Sequence, residues 1–345
     1  MIELIKLSEA ERWDEIVKSF AHYDIYYLSG YVRAFESYGD GEPMLIYYTN
    51  NSTRAINVVM KRDIADHPFF SSKIERNKYF DIVTPYGYGG FLIEGEEYST
   101  LEKEYCDFAA SQGIVSEFVR FHTMLGNYHK VSDIYDGIYL GNTVYIDTFD
   151  ADNIWANMHS KNRNVIRKAQ KSGVEVFWCR DKNIIPEFMR IYNATMDKDS
   201  ADDYYYFDVK FYLSVLNDLK YNAMWFYSVI DNEIAAISIF LFANGQMHYH
   251  LSASQKKYQH LAPTNLLLYE AALWASRNGY KTLHLGGGVG CKQDSLYKFK
   301  KAFNKSEDKS FYIGKKVFDE DVYQMLVNLR QDDISNPQFF PRYRG

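Results

Sequence analysis

The pattern of apolar and polar positions changes period repeatedly along the chain, and each change marks an element. Apolar residues at helical spacing run through 10–20 and 27–38, and short alternating or continuous runs at 43–48 and 55–62 read as strands. A helix at 101–112 and a strand at 116–122 follow. The turn-forming pair Asn142 and Thr143, ahead of a strand at 144–147, sets the expected boundary between a domain at 1–143 and a second at 144–345. The second half opens with helices at 151–159 and 163–172, stopped by Gly173, then a strand at 174–179. Helices near 184–196 and 208–219 precede three runs, 224–230, 234–242 and 247–251. Asp231-Asn232 and Asn244-Gly245 punctuate these runs as the turns of a strand meander. A long helix, 263–278, starts on Pro263 and stops at Gly279. A strand at 282–285 then meets a glycine cluster at 286–290, which opens a helix at 295–303.

Length supports this division, because 345 residues exceed the usual size of one domain and either half is large enough to bury a core. With 47% hydrophobic and 24% charged residues, the composition is that of a folded globular chain. No window reaches the ~20 apolar residues of a membrane-spanning helix. No basic flank leads into an apolar run at the N-terminus, which argues against a secretory signal. Cys106, Cys179 and Cys291 are odd in number, widely spaced and form no CxxC pair, so neither a disulfide framework nor a zinc site is expected and a cytoplasmic setting fits. Charge is uneven: residues 1–150 hold 13 Lys+Arg against 24 Asp+Glu, and residues 151–345 hold 26 against 21. An anionic ligand would be drawn to the second half, although the surface is too mixed for a long DNA track.

The most specific stretch is HYHLSASQKKYQHLAPTNLLLYEAALWASRNGYKTLHLGGG, residues 248–288, continuing as DSLYKFKKAF at 294–303. Two further segments agree with it, TPYGYGGFLI at 84–93 and SKNRNVIRKAQKSGV at 160–174. Together they resemble the FemAB-like branch of the GNAT acyltransferase superfamily, as does the order of elements in the second half. The first half repeats that order more weakly. The resemblance implies a mixed α/β fold of two tandem GNAT-like domains packed side by side. It also implies transfer of an amino acid from aminoacyl-tRNA to an amine of a peptidoglycan precursor or similar acceptor, with no tightly bound cofactor or metal. Two alternatives stand beside it: an acyl-CoA-dependent N-acyltransferase acting on a sugar, polyamine or peptide, and a ligand-binding protein without turnover. Peripheral membrane contact stays open.

Candidate chemistry follows the same segments. The loop from Ser252 through Ser254, Lys256 and Lys257 to Pro263 and Asn265 leads into a helix N-terminus, where free N–H groups and the helix dipole favour an anion. A plain solvated loop reads equally from the pattern. The glycine-rich acetyl-CoA signature of ordinary GNAT enzymes is absent there, since 252–262 contains no glycine. Gly286 and Gly287 lie in a cluster that fits neither a P-loop nor a GxGxxG fingerprint. They read either as a close backbone approach to a donor or as a tight turn. Lys161, Arg163 and Arg167 lie on one basic helix, either a solvated face or a phosphate-recognition face. Tyr86 and Tyr88 sit in a Pro- and Gly-punctuated loop that presents them either to an acceptor in a cleft between the halves or to solvent. His248 and His250 alternate with Tyr249, which places both histidines on one strand face. Tyr249, His250, His284 and Asp294 are the candidates for catalysis.

Overall fold

The computed structural model describes residues 1–345. In chain order the main elements are β1 (Ile2–Lys6), α1 (Ala10–Ser19), α2 (Ser29–Tyr38), β2 (Glu42–Thr49), β3 (Arg54–Asp63), β4 (Phe80–Val83), β5 (Leu92–Glu94), α3 (Leu101–Ser111), β6 (Ile114–Arg120) and β7 (Asp136–Asp147). There follow α4 (Ala151–Asn157), α5 (Ser160–Lys171), β8 (Glu175–Cys179), α6 (Ile185–Asp199), α7 (Val209–Asp218), β9 (Ala223–Ile230), β10 (Glu233–Ala243), β11 (Gln246–Ser254), α8 (Pro263–Arg277), β12 (Thr282–Gly286), α9 (Ser295–Lys301), β13 (Lys309–Val317) and α10 (Glu320–Arg330). The fold is mixed α/β. No helix is long and apolar enough to cross a membrane.

The chain divides into two compact units, residues 1–140 with 311–345, and residues 141–310. The first carries strands in the order β1-β2-β3-β4-β6-β13, with β5 also on β3. All neighbours are antiparallel except β4 and β6. The second carries β7-β12-β11-β10-β9-β8, where only β11 and β12 run parallel.

Local chemistry explains most boundaries. Asp150, Asp208, Asp294 and Asp319 each accept a backbone N–H as N-cap of α4, α7, α9 and α10. Asp231, Asn232, Asn244 and Gly245 all take positive φ, the backbone that a two-residue hairpin turn needs to match strand twist. The Asn142-Thr143 pair, expected to be a turn, instead lies within β7. The turn-like glycine beside it, Gly141, serves close approach, since a Cβ there would strike the Cys291 carbonyl. Residues 311–345 pack with the first unit, whereas the sequence pattern assigns them to the second half.

Each unit has its own core. In the second, α8 buries Leu266, Leu267, Leu268, Ala271, Ala272 and Ala275 against Phe226, Phe240 and Met247 of the sheet. Removing a leucine side chain from such a site costs about 2–5 kcal/mol. In the first, Met44, Ile46, Val59, Val119 and Phe121 from the strands meet Tyr105 and Ala109 of α3.

Candidate active site

In the second unit the parallel strands β11 and β12 pair only over Gln246↔Thr282, Met247↔Leu283 and His248↔His284. Beyond that point β11 continues to Ser254 paired only with β10, while β12 ends at Gly286. The two strands therefore open into a wedge. At its base the buried rings of His248 and His284 meet edge to face, with Nδ1 atoms 3.4 Å apart. At that separation one ring donates and the other accepts, as the tautomers allow.

A bulge re-aims the next residues. Ile239 pairs with Leu251 and Phe240 with Tyr249, which leaves His250 as the extra residue of β11. This interrupts the expected alternation. It brings the Tyr249 hydroxyl onto Ser252 Oγ, three residues on, and Ser252 in turn takes the Ser238 hydroxyl at 2.9 Å. Burial, reinforced by the neighbouring His248, drives His250 down to about 3. At neutral pH it is an uncharged imidazole, suited to hydrogen bonding and too weakly basic to capture a proton.

The loop after β11 turns through residues 256–261 into α8. Ala262 precedes the helix in the left-handed region (φ 54°) and Pro263 occupies the first turn. Asn265 ties α8 to α5 through the Asn162 side chain at 2.8 Å, and Lys168 donates to the His260 carbonyl at 3.3 Å. Lys256 is exposed, and Lys257, also exposed, is ion-paired with Glu233 at 2.5 Å. Ser254 accepts a long bond from Gln259, 3.5 Å.

Past β12, Gly286 and Gly287 lead to a turn closed by Asp294. Its carboxylate accepts from Tyr297 N at 2.8 Å and Val289 N at 3.0 Å. Those backbone bonds, Tyr297 foremost, hold Asp294 below the usual carboxylate range, so it is an ionised cap. A Cβ on Gly288 would collide with this carboxylate and with the Lys292 carbonyl, which fixes glycine there.

Against that turn lies a residue the sequence reading passed over. Lys300, only 8% exposed, donates to the Gly287 carbonyl at 2.7 Å. Burial lowers it to about 8, opposed by Asp294 and Cys291. It hides in the basic run KFKKAF. The available signal is that Lys300 lies one turn from Tyr297, the residue Asp294 caps, on the buried face of α9.

The α5 cations separate by role. Arg163 reaches back to the carbonyls of Trp155, Ala156 and Met158, the closest at 2.6 Å, and caps the C-terminal end of α4. Arg167 lies over the Trp155 ring at 5.0 Å and bonds Asn164. Lys161 is exposed. Arg163 is thus engaged structurally, and Arg167 and Lys161 are the two of the expected acceptor residues left facing solvent.

Tyr86 and Tyr88, in the first unit, are half-buried on a loop held from below. Asn127 donates to the carbonyls of Gly89 (2.8 Å) and Phe91 (3.1 Å), Tyr27 donates to Gly90 O at 2.8 Å, and the Tyr31 hydroxyl donates to Tyr86 O. The buried pair Asp24–His122, 3.1 Å, lies in the same layer, and His122 packs against Tyr88 with ring centroids 5.8 Å apart. Gly87 (φ 107°) has no room for a side chain, because a Cβ would sit 2.5 Å from the Tyr26 ring.

Comparison with known proteins bears on the fold. A family model described as an acetyltransferase (GNAT) domain matches residues 156–301. No curated protein matches the sequence. Among solved structures, FemX superposes with a TM-score of 0.66 at 14% identity, covering 94% of this chain and 99% of FemX. L-PGS from Bacillus licheniformis gives 0.57 at 13% identity, with 93% and 96% covered. A conserved protein of unknown function from Bacteroides thetaiotaomicron gives 0.57 at 10%, with 92% and 100% covered. Residues 156–301 thus match an acetyltransferase (GNAT) domain, and the chain as a whole shares the fold of FemX.

Proposed function

We propose that the chain transfers an aminoacyl group from aminoacyl-tRNA to an amine of a peptidoglycan precursor or similar acceptor. The observation that carries this reading is the junction from β11 to α8. In a CoA-dependent enzyme this loop offers glycine backbone N–H groups to a pyrophosphate. Here it has no glycine from 252 to 262, Pro263 removes one N–H of the first turn, and Lys257 is ion-paired with Glu233. The fold shared with FemX supports the same reading.

The chemistry asks little of side chains. The acceptor amine attacks the ester carbonyl, the carbon–oxygen bond to the ribose breaks, and the proton lost by the amine ends on the ribose oxygen. With the amine entering in its neutral form, no net proton acceptor on the protein is required, which fits a wedge in which the His250 imidazole is a very weak base. A fixed cation beside the developing oxyanion is the main electrostatic need, and Lys300, charged below about pH 8, is the candidate.

A thioester donor is the second reading, favoured by the match to an acetyltransferase model. Purified protein incubated with radiolabelled aminoacyl-tRNA and a lysine-containing precursor should form labelled product. Thermal stabilisation by CoA or acyl-CoA, with no transfer from tRNA, would instead establish the thioester donor.

A further inference from the structure

The first unit is acidic, and its arginines are mostly matched. Arg12, Arg54, Arg62, Arg76 and Arg344 each meet a carboxylate. Arg120, at the end of β6, does not. Its Nε donates to the Gly87 carbonyl at 2.9 Å, its guanidinium lies 5.4 Å over the buried Phe311 ring, and neither Nη is bonded within the protein. The residue is half-buried. Tyr88 packs edge-on against the same Phe311 at 5.4 Å, so guanidinium and phenol share one aromatic floor.

The surroundings are rigid. Arg120 N donates to Thr84 Oγ1 at 3.0 Å and Gly89 N to Arg120 O at 2.7 Å, which fastens both ends of the tyrosine loop to this residue. If holding the loop were its whole task, the single Nε bond would serve and the Nη pair would be idle. A half-buried guanidinium with two parallel N–H donors unmatched is the geometry that receives a planar or tetrahedral oxyanion in two-point contact. An aromatic side chain alongside adds a face for a ring or peptide plane.

We propose that Arg120, flanked by Tyr86 and Tyr88, is the anchor for an oxyanion of the acceptor, a carboxylate or a phosphate, and so determines acceptor specificity. This rests on the transferase reading for its meaning but not for its measurement.

The test is equilibrium binding by calorimetry, with uridine 5′-diphosphate as the phosphate probe and the tripeptide Ala-γ-Glu-Lys as the carboxylate probe. Wild type should bind one of the two. R120Q should weaken that binding about 10- to 100-fold, and R120K should recover part of the loss, because charge returns without the fork. In transfer assays KM for the acceptor should rise while kcat and the donor KM hold. A merely structural Arg120 would lower thermal stability in R120Q and leave the affinities alone, which overturns the proposal. So does wild type binding neither probe. Arg120-dependent binding with no transfer from any donor would leave this site standing and remove the transferase reading.

Discussion

The two units repeat one order of elements and differ at one junction. Strand, two helices, three antiparallel strands, helix and parallel strand run as β1-α1-α2-β2-β3-β4-α3-β6 in the first, with β5 inserted, and as β8-α6-α7-β9-β10-β11-α8-β12 in the second. In the first unit the parallel pair stays closed. Asp81, Ile82 and Val83 pair with Ser116, Glu117 and Phe118, Thr84 N still reaches Phe118 O, and Gly89 bridges Phe121. In the second, pairing stops at His248 and His284. The closed unit fills its centre with a polar knot: Glu117 accepts from Tyr105, Tyr135 and Asn57, each at 2.9 Å. One architecture thus yields a sealed core in one copy and diverging strands in the other, the difference lying in where two strands separate.

If the open wedge is where chemistry occurs, the largest effect should come from the cation beside it. Lys300→Met keeps the bulk and removes the charge. Transfer should fall roughly 100- to 1000-fold in kcat, the usual loss of one oxyanion donor, with circular dichroism unchanged. Activity of the wild type should also decline above about pH 8 as Lys300 loses its proton. An unchanged kcat in the variant would move the chemistry away from this side of the wedge.

The sealed core offers the next test. Burial raises the Glu117 carboxyl to about 7, against hydrogen bonds from Tyr105, Asn57 and Tyr135 and the charge of Lys316, which lower it. A carboxyl held above its ordinary 4.5 binds its proton more tightly folded than unfolded. Its stabilising contribution is complete below pH 4.5 and lost as pH rises through 7. The change amounts to about 3 kcal/mol, visible as a falling Tm between pH 5 and 8. Glu117→Gln should flatten that slope, and a slope that persists would place the titrating group elsewhere.

How much of this was legible in the sequence follows from range. The hairpin turns and the Pro263 start are local signals, and each is present as read. β4 and β5, at 80–83 and 92–94, are too short to impose a period, and β13 and α10 lie beyond the last pattern the reading used. Of the site, β11, β12 and the glycine turn were legible. The bulge at His250 was not, because strand register depends on β10, and Lys300 was not, because only the folded α9 shows which lysine of three is buried. Spacing shows the charged face of α5 but not that Arg163 reaches back to the end of α4, which only the fold determines.

That last point is measurable. Arg163→Met should lower stability by about 1–2 kcal/mol through the freed α4 carbonyls, whereas Arg167→Met, on the same face, should leave stability within about 0.5 kcal/mol. Chemical denaturation compares the two directly. Equal losses would mean that α5 acts as an undifferentiated basic surface.

The smallest effect concerns where strain is stored. The helix that follows the open strand, α8, begins from Ala262 at φ 54°, while its counterpart α3 begins from Thr100 at φ −89°, an unstrained backbone. A left-handed alanine costs about 1–2 kcal/mol. Glycine would relieve this but loses more freedom on folding, so Ala262→Gly should gain only about 0.5 kcal/mol. Strain tends to persist where function over-determines the backbone. The sharper reading is therefore a double measurement: a small rise in Tm together with weaker donor binding, since a relaxed Ala262 would loosen the entry to α8. A gain in stability with donor affinity unaltered would show that the strained turn belongs to packing alone, and the contrast between the units would then reduce to the separation of their strands.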